Sequence, residues 1–583
     1  MNRRTFLTTT TAALLGAGTI RAATVPRRAP GADLPWTTYL AQDMRMTGEV
    51  LGPVYAPARV EMESSRQRCV KLAKAGDYVE FTVKASANAM IVRYCLPDSP
   101  DGAGIDSTLD VYRNDALVTR LPITSRFAWL YGKYPFGNAP SDGAPRRFYD
   151  EVRCKDLVLA EGDVVRLCKP DDAAPYCIVD LVDLEQVPPP LAEPPQALCV
   201  RDFGAKGDGE TDDTEALRAC VAAAAAQGKT AFVPAGNYKL TGDIDLRDGT
   251  ALQGAGMWHT TFVGDEALYG NPDRRLRFKV MGSRCRLADF ALIGKLKCRN
   301  DQERNDGVFG AHAKDCEISR LWIEHTKVGM WFYVCQSVII RGCRLRNTLA
   351  DGINLCVDVR DSVIENCTAR NTGDDCFAIW PTVSDQGFMQ ERPGPGNNIV
   401  RRCTGELPSL ANGGAIYGGH DNRIEDCLFR DISVGSGILL STTFPTSDAT
   451  ADNNFSGTTA VENCRLERCG GFDHDWGWRG ALEICVDARS IAGVRIGGLR
   501  ITDSLSDAIR IRQSDFRPGR RSLSDTRIER VSVRGFGAGT RPSHGLAIGH
   551  DAQGSLTVSR SDIADIQNDT PGFQVVVLRG PAG

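Results

Sequence analysis

The sequence lacks several features that would point to a membrane or to nucleic acid. Beyond residues 6–20 it has no stretch of about 18 apolar residues, the length that a membrane-spanning helix needs. It also lacks an excess of positive charge, because 69 Lys and Arg stand against 73 Asp and Glu, for a net charge of −4. This balance argues against nucleic acid, an anionic membrane or a strongly acidic polysaccharide as partner. A neutral substrate fits it better.

Close groups of cysteine and histidine, which a zinc site needs, are missing as well, although the chain has 20 cysteines. The cysteines recur regularly instead: Cys343 and Cys367 are 24 residues apart, and so are Cys403 and Cys427. Regular recurrence within a repeat predicts a ladder of buried, unpaired thiols with one thiol in each coil. The alternative interpretation is that some of these cysteines form disulfide bridges.

Residues 1–23 have the features of an export signal. Arg3-Arg4 precedes a mildly apolar run, and small residues follow at Ala22 and Ala23. This order is typical of a twin-arginine signal peptide that is removed after transport. We therefore expect a periplasmic or secreted protein that has no membrane anchor in its mature form and is a monomer.

A proline-rich segment at residues 187–197 separates two regions of different texture. Residues 33–186 contain short alternating segments punctuated by turn residues, a pattern that predicts a β-sandwich. From about residue 278, short β-rich runs recur every 22–27 residues. Such a period predicts a solenoid, because each coil must stack on its neighbours to bury its apolar face. The predicted fold class is all-β: a β-sandwich followed by a right-handed parallel β-helix at residues 198–583.

Two segments of this chain resemble known structural modules. The sequences DFGAKGDGETDDTEAL at residues 202–217 and FVPAGNY at residues 232–238 resemble the entrance of pectate-lyase-like β-helix proteins. That resemblance implies a structural cap, so we do not assign Asp212 and Asp213 to catalysis. In the sandwich, AQD at residues 41–43, GDYVEF at 76–81 and CIVDLVDL at 177–184 resemble carbohydrate-binding modules of families 35 and 6.

The sandwich resemblance bears on cofactors and on sugar binding. The modules often bind calcium through early acidic residues, but Gln42 stands where a glutamate is usual, and we expect no other cofactor. Residues 129–136 place four aromatic side chains in eight positions. Their rings either stack on sugar rings or pack the sandwich against the second domain.

The candidate catalytic residues come from a comparison of two coils. RNTLADGI at residues 346–353 recurs 24 residues later as RNTGDDCF at residues 370–377. This register stacks Asp351 against Asp375 at the strand spacing of about 4.8 Å, and Asp374 adds a third carboxylate. Stacked carboxylates repel each other and raise at least one pKa, so the group indicates a catalytic centre or a metal site. We assign catalysis and no metal; structural aspartates in solenoid turns are the alternative.

Inverting glycosidases need one acid for the leaving oxygen and one base for a water molecule, usually about 6.5–9.5 Å apart. We assign Asp374 as the general acid and Asp351 with Asp375 as the base. The candidate substrate-binding residues are Trp331, Trp380, Tyr417 and His420. The two tryptophans follow corresponding turns and suit sugar stacking or packing, and His420 suits a hydrogen bond to a sugar hydroxyl or a structural role. The segment 476–478 and Glu483 are weaker candidates for a cleft wall.

The spacing of the three aspartates is similar to that of polygalacturonase-like hydrolases (family 28) and of α-1,3-glucanases or mycodextranases (family 87). The segments ADGIN at residues 350–354, NTGDD at 371–375 and LANGGAIYGG at 410–419 resemble family 87, as does a sandwich joined to a β-helix. The resemblance covers most of residues 33–515. It implies an inverting endo-hydrolase of α-1,3-glucan, and the linkage and the glucose unit come from the resemblance alone.

Other function classes stay open at this point. A polygalacturonase-like enzyme would need a basic motif for galacturonate, and we find no convincing Arg-Ile-Lys equivalent. A polysaccharide lyase acting on a uronate polymer would use Arg or Lys as base and hold calcium with the aspartates. A non-catalytic glycan-binding β-helix protein is the third interpretation.

Overall fold

The structure is a computed structural model that describes residues 28–268, 274–301, 307–381, 395–443, 455–513, 521–538 and 541–578. The expected export signal lies outside the described residues. Within these ranges, we find no helix that combines the length and the apolar character needed to span a membrane.

The first domain is an antiparallel β-sandwich. Its larger sheet consists of Trp36–Leu40, Glu49–Leu51, Cys69–Leu72, Ala87–Cys95, Asp150–Leu159 and Cys177–Glu185. The facing sheet consists of Arg45–Met46, Tyr78–Thr82, Asp106–Arg113, Ala116–Thr124 and Val164–Cys168. A two-stranded ribbon, Leu130–Tyr131 with Pro145–Arg146, projects from it, and short 3-10 helices lie at Ala41–Asp43, Ser65–Gln67 and Pro140–Asp142.

The second domain is a parallel β-helix with an α-helix, Thr214–Ala226, at its entrance. One parallel sheet consists of Leu198–Cys199, Asp208–Asp212, Thr230–Val233, Gly236–Lys239, Ala251–Gly254, Thr260–Val263, Arg286–Ile293, Glu317–Glu324, Ile339–Arg341, Arg344–Arg346, Val363–Glu365, Thr368–Arg370, Ile399–Arg401, Thr404–Glu406, Arg423–Glu425, Leu428–Ile432, Thr459–Glu462, Arg465–Cys469, Val494–Gly497, Arg500–Thr502, Leu523–Glu529, Ser532–Arg534, Gly554–Ser559 and Phe573–Leu578.

The second parallel sheet consists of Asp243–Leu246, Arg277–Val280, Gly307–Ala311, Met330–Tyr333, Ile353–Leu355, Phe377–Ile379, Gly414–Ile416, Ile438–Ser441, Leu482–Val486, Ile509–Gln513, Leu546–Ile548 and Ile566–Gln567. A hairpin, Phe472–Asp473 with Gly477–Trp478, and 3-10 helices at Val200–Phe203 and Glu266–Leu268 complete the domain. The predicted fold class, a β-sandwich followed by a parallel β-helix, is confirmed.

Stacked aliphatic side chains explain why the coils hold together. One ladder along the interior consists of Ile340, Ile364, Val400, Ile424, Val461, Ile496 and Ile528, all of which are buried. β-Branched side chains pack well on a pleated, half-buried surface. A single coil exposes its apolar face, whereas stacking removes that face from water.

A thiol ladder runs beside the aliphatic ladder, on Cys343, Cys367, Cys403, Cys427 and Cys464 of successive coils. The amide N–H of Cys343 contacts Sγ of Cys367 at 3.4 Å. Burial raises the pKa of the Cys403 and Cys427 thiols well above its usual value. None of the 20 cysteines forms a disulfide, so the thiol ladder is confirmed and the disulfide alternative is not.

The entrance of the β-helix uses its paired aspartates structurally. The Asp212 carboxylate accepts the amide N–H of Thr214 at the start of the α-helix, at 3.1 Å. The Asp213 carboxylate accepts the amide N–H groups of Lys206 and Gly207, at 2.7 and 3.0 Å. Both carboxylates therefore shape the capping turn of the solenoid.

Buried ion pairs join the sandwich to the β-helix. The Arg344 guanidinium forms two 2.7 Å hydrogen bonds to the Glu185 carboxylate. Arg370, which is also buried, contacts Glu151 at 2.5 Å and Asp183 at 2.8 Å. Fully buried charges are costly unless they are paired and hydrogen-bonded. The interface therefore fixes the position of one domain on the other.

The proline-rich segment connects two domains that are in direct contact. Val187 is buried in an apolar cluster with Trp258 and Trp322 of the β-helix. The amide N–H of Leu191 donates to the carbonyl of Ala255 at 2.9 Å. The segment thus runs along the β-helix and does not hold the domains apart.

The sandwich also reaches the coils next to the predicted catalytic residues. The buried Arg147 guanidinium donates to the backbone carbonyls of Asn347 and Thr348 at 2.6 and 2.8 Å. In return, the Asn371 side chain donates to the carbonyl of Tyr149 at 2.8 Å. These bonds satisfy backbone groups at the corner of the solenoid that precedes Asp351.

Candidate active site

The three predicted catalytic aspartates meet at the edge of the second parallel sheet. Asp351 precedes the strand Ile353–Leu355, and Asp374 and Asp375 precede the neighbouring strand Phe377–Ile379. The register pairs Ile353 with Phe377, so Asp351 lies beside Asp375 on the next coil, as the repeat predicts. One oxygen from each of the three carboxylates lies within 4.8 Å of the other two.

The outward face of the same sheet forms the floor of a cleft. Because side chains alternate along a strand, Trp331 and Asn354 point outward while their neighbours fill the core. The outward ladder continues through Ala378, Ala415 and Leu439. Trp331, Asn354 and Leu439 of this ladder line a cavity with a volume of about 300 Å³.

Burial differs among the three carboxylates, and so does their electrostatic environment. Asp351 and Asp375 are buried, whereas 24% of the Asp374 side chain is exposed. Burial, followed by the charges of Asp374 and Asp375, raises the pKa of Asp351 well above its usual value. Burial and the charge of Asp374 raise the pKa of Asp375 to about 7. The stacked pair therefore retains a proton near neutral pH.

Asp375 is held in one orientation by three donors. The amide N–H of Asn412 and its side-chain NH2 donate to Oδ1 at 2.9 and 2.8 Å, and the Tyr417 hydroxyl donates to Oδ2 at 2.8 Å. Asp351 accepts a longer bond, 3.2 Å, from the side chain of Asn354. Hydrogen bonds to the ionised form favour it, so the two stacked carboxylates are not equivalent.

Asp374 is bound by an arginine that the sequence analysis missed. A terminal nitrogen of the Arg299 guanidinium lies 2.7 Å from Oδ2 of Asp374, and its Nε lies 2.6 Å from Oδ1 of Asp301. The Tyr134 hydroxyl, from the sandwich, donates to the other Asp301 oxygen at 2.6 Å. Arg299 follows the strand Arg286–Ile293 in an interruption of the repeat, so no coil comparison could have found it.

Three of the four predicted substrate-binding residues line the cleft: Trp331, Trp380 and Tyr417. The rings of Trp331 and Trp380 are nearly perpendicular, with centroids 5.5 Å apart. Each of the three side chains is more than nine-tenths buried. They pack in one apolar cluster and also line the cleft, so the packing and the sugar-contact interpretations are compatible.

His420 is not brought to this cleft, so its predicted substrate contact is not supported by its position. Gly418 and Gly419 have positive φ angles of 144° and 88°, which turn the chain away after Tyr417. His420 then pairs with Gly396 and Ser456 in a ladder of turn residues. A Cβ on Gly396 would lie 1.9 Å from its ring, so the glycine makes room for the imidazole.

The opposite wall of the cleft is the hairpin at Phe472–Trp478. His474 and Trp476 line the cleft, and the His474 ring stacks on that of Tyr134 with centroids 5.9 Å apart. Of the weaker sequence candidates, Trp476 therefore lies at the site. Glu483 does not line the cleft; it is buried and bound by Arg479 at 2.5 Å.

The three aspartates are also the group in the described ranges whose spacing suits a bound cation. The guanidinium of Arg299 already provides positive charge at Asp374, so we assign no metal to them. In the sandwich, Gln42 uses its side-chain NH2 to contact the carbonyl of Ser65 at 3.3 Å. Calcium in the sandwich stays a prediction.

Three close carboxylates in a cleft walled by aromatic rings form a site that suits an enzyme built on a β-helix. Two family models match the chain, the α-1,3-glucanase catalytic domain D1 over residues 33–187 and domain D2 over residues 214–506. The chain belongs to this α-1,3-glucanase family of glycoside hydrolases, and the family predicted from the sequence is confirmed. The first model counts the sandwich as part of the catalytic unit.

Solved structures agree with this assignment. The crystal structure of the Agl-KA catalytic domain has a TM-score of 0.85 and 25% identity, and the match covers 94% of this chain and 98% of that one. The catalytic unit of a thermostable GH87 α-1,3-glucanase from Streptomyces thermodiastaticus strain HF3-3 has a TM-score of 0.81 and 29% identity, over 95% and 97% of the two chains.

Among curated proteins, the mannuronan C5-epimerase AlgE3 of Azotobacter vinelandii is 28% identical over 251 residues. The match covers 39% of this chain and 13% of the epimerase, so the chain spans only a small part of that relative.

Proposed function

We propose that this protein is an endo-acting α-1,3-glucanase that hydrolyses its substrate with inversion, using Asp351, Asp374 and Asp375. The observation that carries the proposal is the stacked pair Asp351 and Asp375 beside the partly exposed Asp374, on the floor of a cleft in an α-1,3-glucanase family member. Inversion and endo action come from the family resemblance.

The stacked pair is suited to hold the attacking water. Hydrogen bonds between oxygen atoms are about 2.7–2.8 Å long, so one water molecule can contact two oxygens that lie within 4.8 Å of each other. As the water oxygen bonds to the anomeric carbon, the pair accepts its proton. Asp374 protonates the departing glycosidic oxygen, the old C–O bond breaks, and the α-linkage yields a β-anomer.

The short carboxylate spacing does not by itself select inversion. Inverting pairs are usually about 6.5–9.5 Å apart and retaining pairs about 5–5.5 Å. Here the short spacing occurs within a group of three carboxylates, in which the stacked pair together holds the attacking water molecule and accepts its proton. Product stereochemistry therefore has to be measured.

The charges of the cleft favour a neutral glucan over a uronate polymer. Six aspartates line it, against three basic residues; the aspartates are Asp301, Asp351, Asp374, Asp375, Asp473 and Asp475, and the basic residues are Arg299, Lys327 and Arg479. An acidic cleft repels a polyanion. This argues against the lyase-like and polygalacturonase-like alternatives, although AlgE3, a partial relative, is a mannuronan epimerase.

The test is proton NMR during hydrolysis of α-1,3-glucan, with dextran and polygalacturonate as parallel substrates. The expected result is new β-anomeric reducing ends from α-1,3-glucan alone, which Asp374→Asn abolishes. Asp361→Asn, a turn aspartate outside the cleft, is the matched control and should keep its activity. If the new reducing ends form first as the α-anomer, inversion is rejected. An unsaturated product from polygalacturonate would identify a lyase. Retention of glucan without any product would identify a binding protein.

We also propose that the protein works outside the cytoplasm, because Arg3-Arg4 and the following residues have the pattern of a twin-arginine signal. We propose that it is a monomer there. Replacing both arginines by lysine should leave the protein in the cytoplasm of the producing cell, as cell fractionation would detect.

We propose further that the sandwich binds glycan at the cleft, through Tyr134. Glucan pull-down with Tyr134→Ala, with and without a calcium chelator, tests this role and the calcium expectation together.

A further inference from the structure

A chain of contacts runs from the sandwich to the predicted general acid. The Tyr134 hydroxyl donates to Asp301, Asp301 accepts from Nε of Arg299, and Arg299 reaches Oδ2 of Asp374. The Arg299 carbon between its nitrogens lies 4.9 Å from the centre of the Tyr134 ring. Only 10% of the Arg299 side chain is exposed. Neither Arg299 nor Tyr134 belongs to the repeat that supplies the aspartates.

These contacts fix the Asp374 carboxylate on both sides. Arg299 holds Oδ2, while the amide N–H of Asp375 donates to Oδ1 at 3.1 Å. The planar guanidinium is itself held by Asp301 at one edge and by the Tyr134 ring over its face. Arginine offers donors in a rigid fork, and a ring on its face adds a cation–π attraction. The carboxylate therefore has one defined direction into the cleft.

We propose that Arg299, anchored by Asp301 and by Tyr134 of the sandwich, is the positioning residue that orients the Asp374 carboxylate and stabilises the negative charge that it gains in the reaction. The inference rests on the proposed function, in which Asp374 protonates the leaving oxygen. During that step Asp374 changes from neutral to anionic, and the negative charge develops 2.7 Å from the guanidinium. A fixed positive charge where negative charge develops lowers the energy of the transition state.

The same contact also acts on the resting protein. A positive charge close to a carboxylate favours its ionised form, so the charge of Arg299 opposes the rise in the pKa of Asp351. The groups that face Asp374 are Asp351, Asp375 and Tyr417 on the coils, Arg299 and Asp301 on the interruption, Tyr134 on the sandwich and His474 on the hairpin. Loss of the Arg299 charge should therefore move the pH dependence of the reaction to higher pH.

The first measurement is the pH profile of kcat and KM on α-1,3-glucan for Arg299→Met and Arg299→Lys. We expect Arg299→Met to lower kcat by about 100-fold, the range for loss of acid catalysis or of one charge-stabilising contact. KM should change little. The profile should move to higher pH by about one unit, because the positive charge that opposes the rise in the pKa of Asp351 is lost. Arg299→Lys keeps the charge and should recover part of both effects.

The second measurement uses a substrate that needs little acid assistance, the α-fluoride of an α-1,3-linked glucose disaccharide. Fluoride leaves without full protonation, so Arg299→Met and Asp374→Asn should both cleave it within about ten-fold of the unmodified protein. Asp375→Asn, which lacks half of the water-holding pair, should remain inactive on it. Tyr134→Phe removes the hydroxyl but keeps the ring, and should shift the pH profile in the same direction by a smaller amount.

Arg320→Met is the matched control, because Arg320 binds Asp289 through two nitrogens at 2.5 and 2.8 Å away from the cleft. It should leave the pH profile unchanged. If Arg299→Met loses glucan and fluoride hydrolysis equally with no pH shift, while folding normally by thermal unfolding, the proposal is overturned. If the unmodified protein fails to cleave α-1,3-glucan, the proposed function fails instead.

Discussion

Asp351 and Asp375 occupy equivalent positions on adjoining coils, and the amide N–H of Gly352 donates to the carbonyl of Asp375 at 2.9 Å. The ladder of backbone hydrogen bonds thus holds two carboxylates together that would otherwise move apart. Burial, followed by the charges of Asp374 and Asp375, raises the pKa of Asp351, and burial with the charge of Asp374 raises that of Asp375. The solenoid thus keeps the carboxylates of the proposed catalytic group in fixed positions.

The first prediction concerns stability. In an unfolded chain an aspartate titrates near pH 3.9, whereas the pKa of Asp375 in the folded protein is about 7. Between these values the unfolded chain has released a proton that the folded protein keeps. The free energy of unfolding should therefore fall as the pH rises through this window. Asp375→Asn cannot ionise and should escape that loss.

We expect Asp375→Asn to be more stable than the unmodified protein at pH 7 by roughly 1–4 kcal/mol, and equally stable near pH 4. The variant can keep its hydrogen bonds, because its oxygen can still face Asn412 while its NH2 faces the Tyr417 hydroxyl. Urea unfolding at the two pH values measures the difference. A variant that is less stable at both would refute the raised pKa.

The second prediction concerns catalysis. Asp374→Asn should lower kcat on α-1,3-glucan by about 100- to 10,000-fold, because general acid catalysis contributes an effect of that size. Asp351→Asn should be at least as severe, because it removes half of the pair that holds water. Reducing-sugar release measures both. Activity within about three-fold of normal in either variant would remove that residue from the catalytic group.

The third prediction separates the cleft from its surroundings. Trp331→Ala and Trp380→Ala remove rings that line the cleft and are proposed to contact the sugar, so we expect KM to rise by about ten-fold or more. His420→Ala, outside the cleft, should leave both kcat and KM unchanged. An effect of His420→Ala as large as that of the tryptophan variants would show that the glucan extends to the corner of the coil.

The fourth prediction concerns the interface between the domains. Arg370 is buried and contacts Glu151, Asp183 and Glu406. Arg370→Met leaves three acidic side chains without their shared partner, so we expect a loss of about 3–5 kcal/mol in the free energy of unfolding. In the unmodified protein, the two domains should unfold together in a single transition. Two separate transitions of the unmodified protein would show that the interface does not couple the domains.

The fifth prediction concerns the thiols. Of the 20 cysteines, only Cys154, Cys168, Cys199 and Cys298 are partly exposed. A thiol reagent should therefore modify at most four groups in the folded protein and all 20 after denaturation. A reducing agent should not change the melting temperature, because no disulfide is present to be broken. A lower thiol count after denaturation would indicate disulfides in the isolated protein.

The repeat explains what could be predicted from the sequence. Asp351 and Asp375 were found because one coil takes 24 residues there, so sequence spacing translates directly into contact. His420 had no such register, because it was assigned from the two glycines before it. Those glycines have positive φ and change the direction of the chain between Tyr417 and the turn, and His420 does not line the cleft. The residue types around His420 did not reveal this change of direction.

The contacts of Arg299 and Tyr134 could not be predicted, for a different reason. The sequence singled out the aromatic segment 129–136, which contains Tyr134, but not its partner Asp301. Arg299 lies in an interruption of the repeat and Tyr134 lies in another domain, so neither has a partner at a fixed spacing. Their contact with Asp374 depends on how the sandwich sits on the solenoid. That placement is decided by buried pairs such as Arg344 with Glu185, whose partners are far apart in the sequence.

The bond from Arg147 to the carbonyls of Asn347 and Thr348 has a consequence for engineering. A truncated variant without the sandwich would leave these two carbonyls without their donor, and they lie only a few residues before Asp351 on the same coil. A chimera that received the sandwich of a relative would inherit that relative's version of the Tyr134 loop, and with it a different support for the Arg299 guanidinium beside Asp374. Recombination between relatives should therefore exchange the sandwich and the solenoid as one unit.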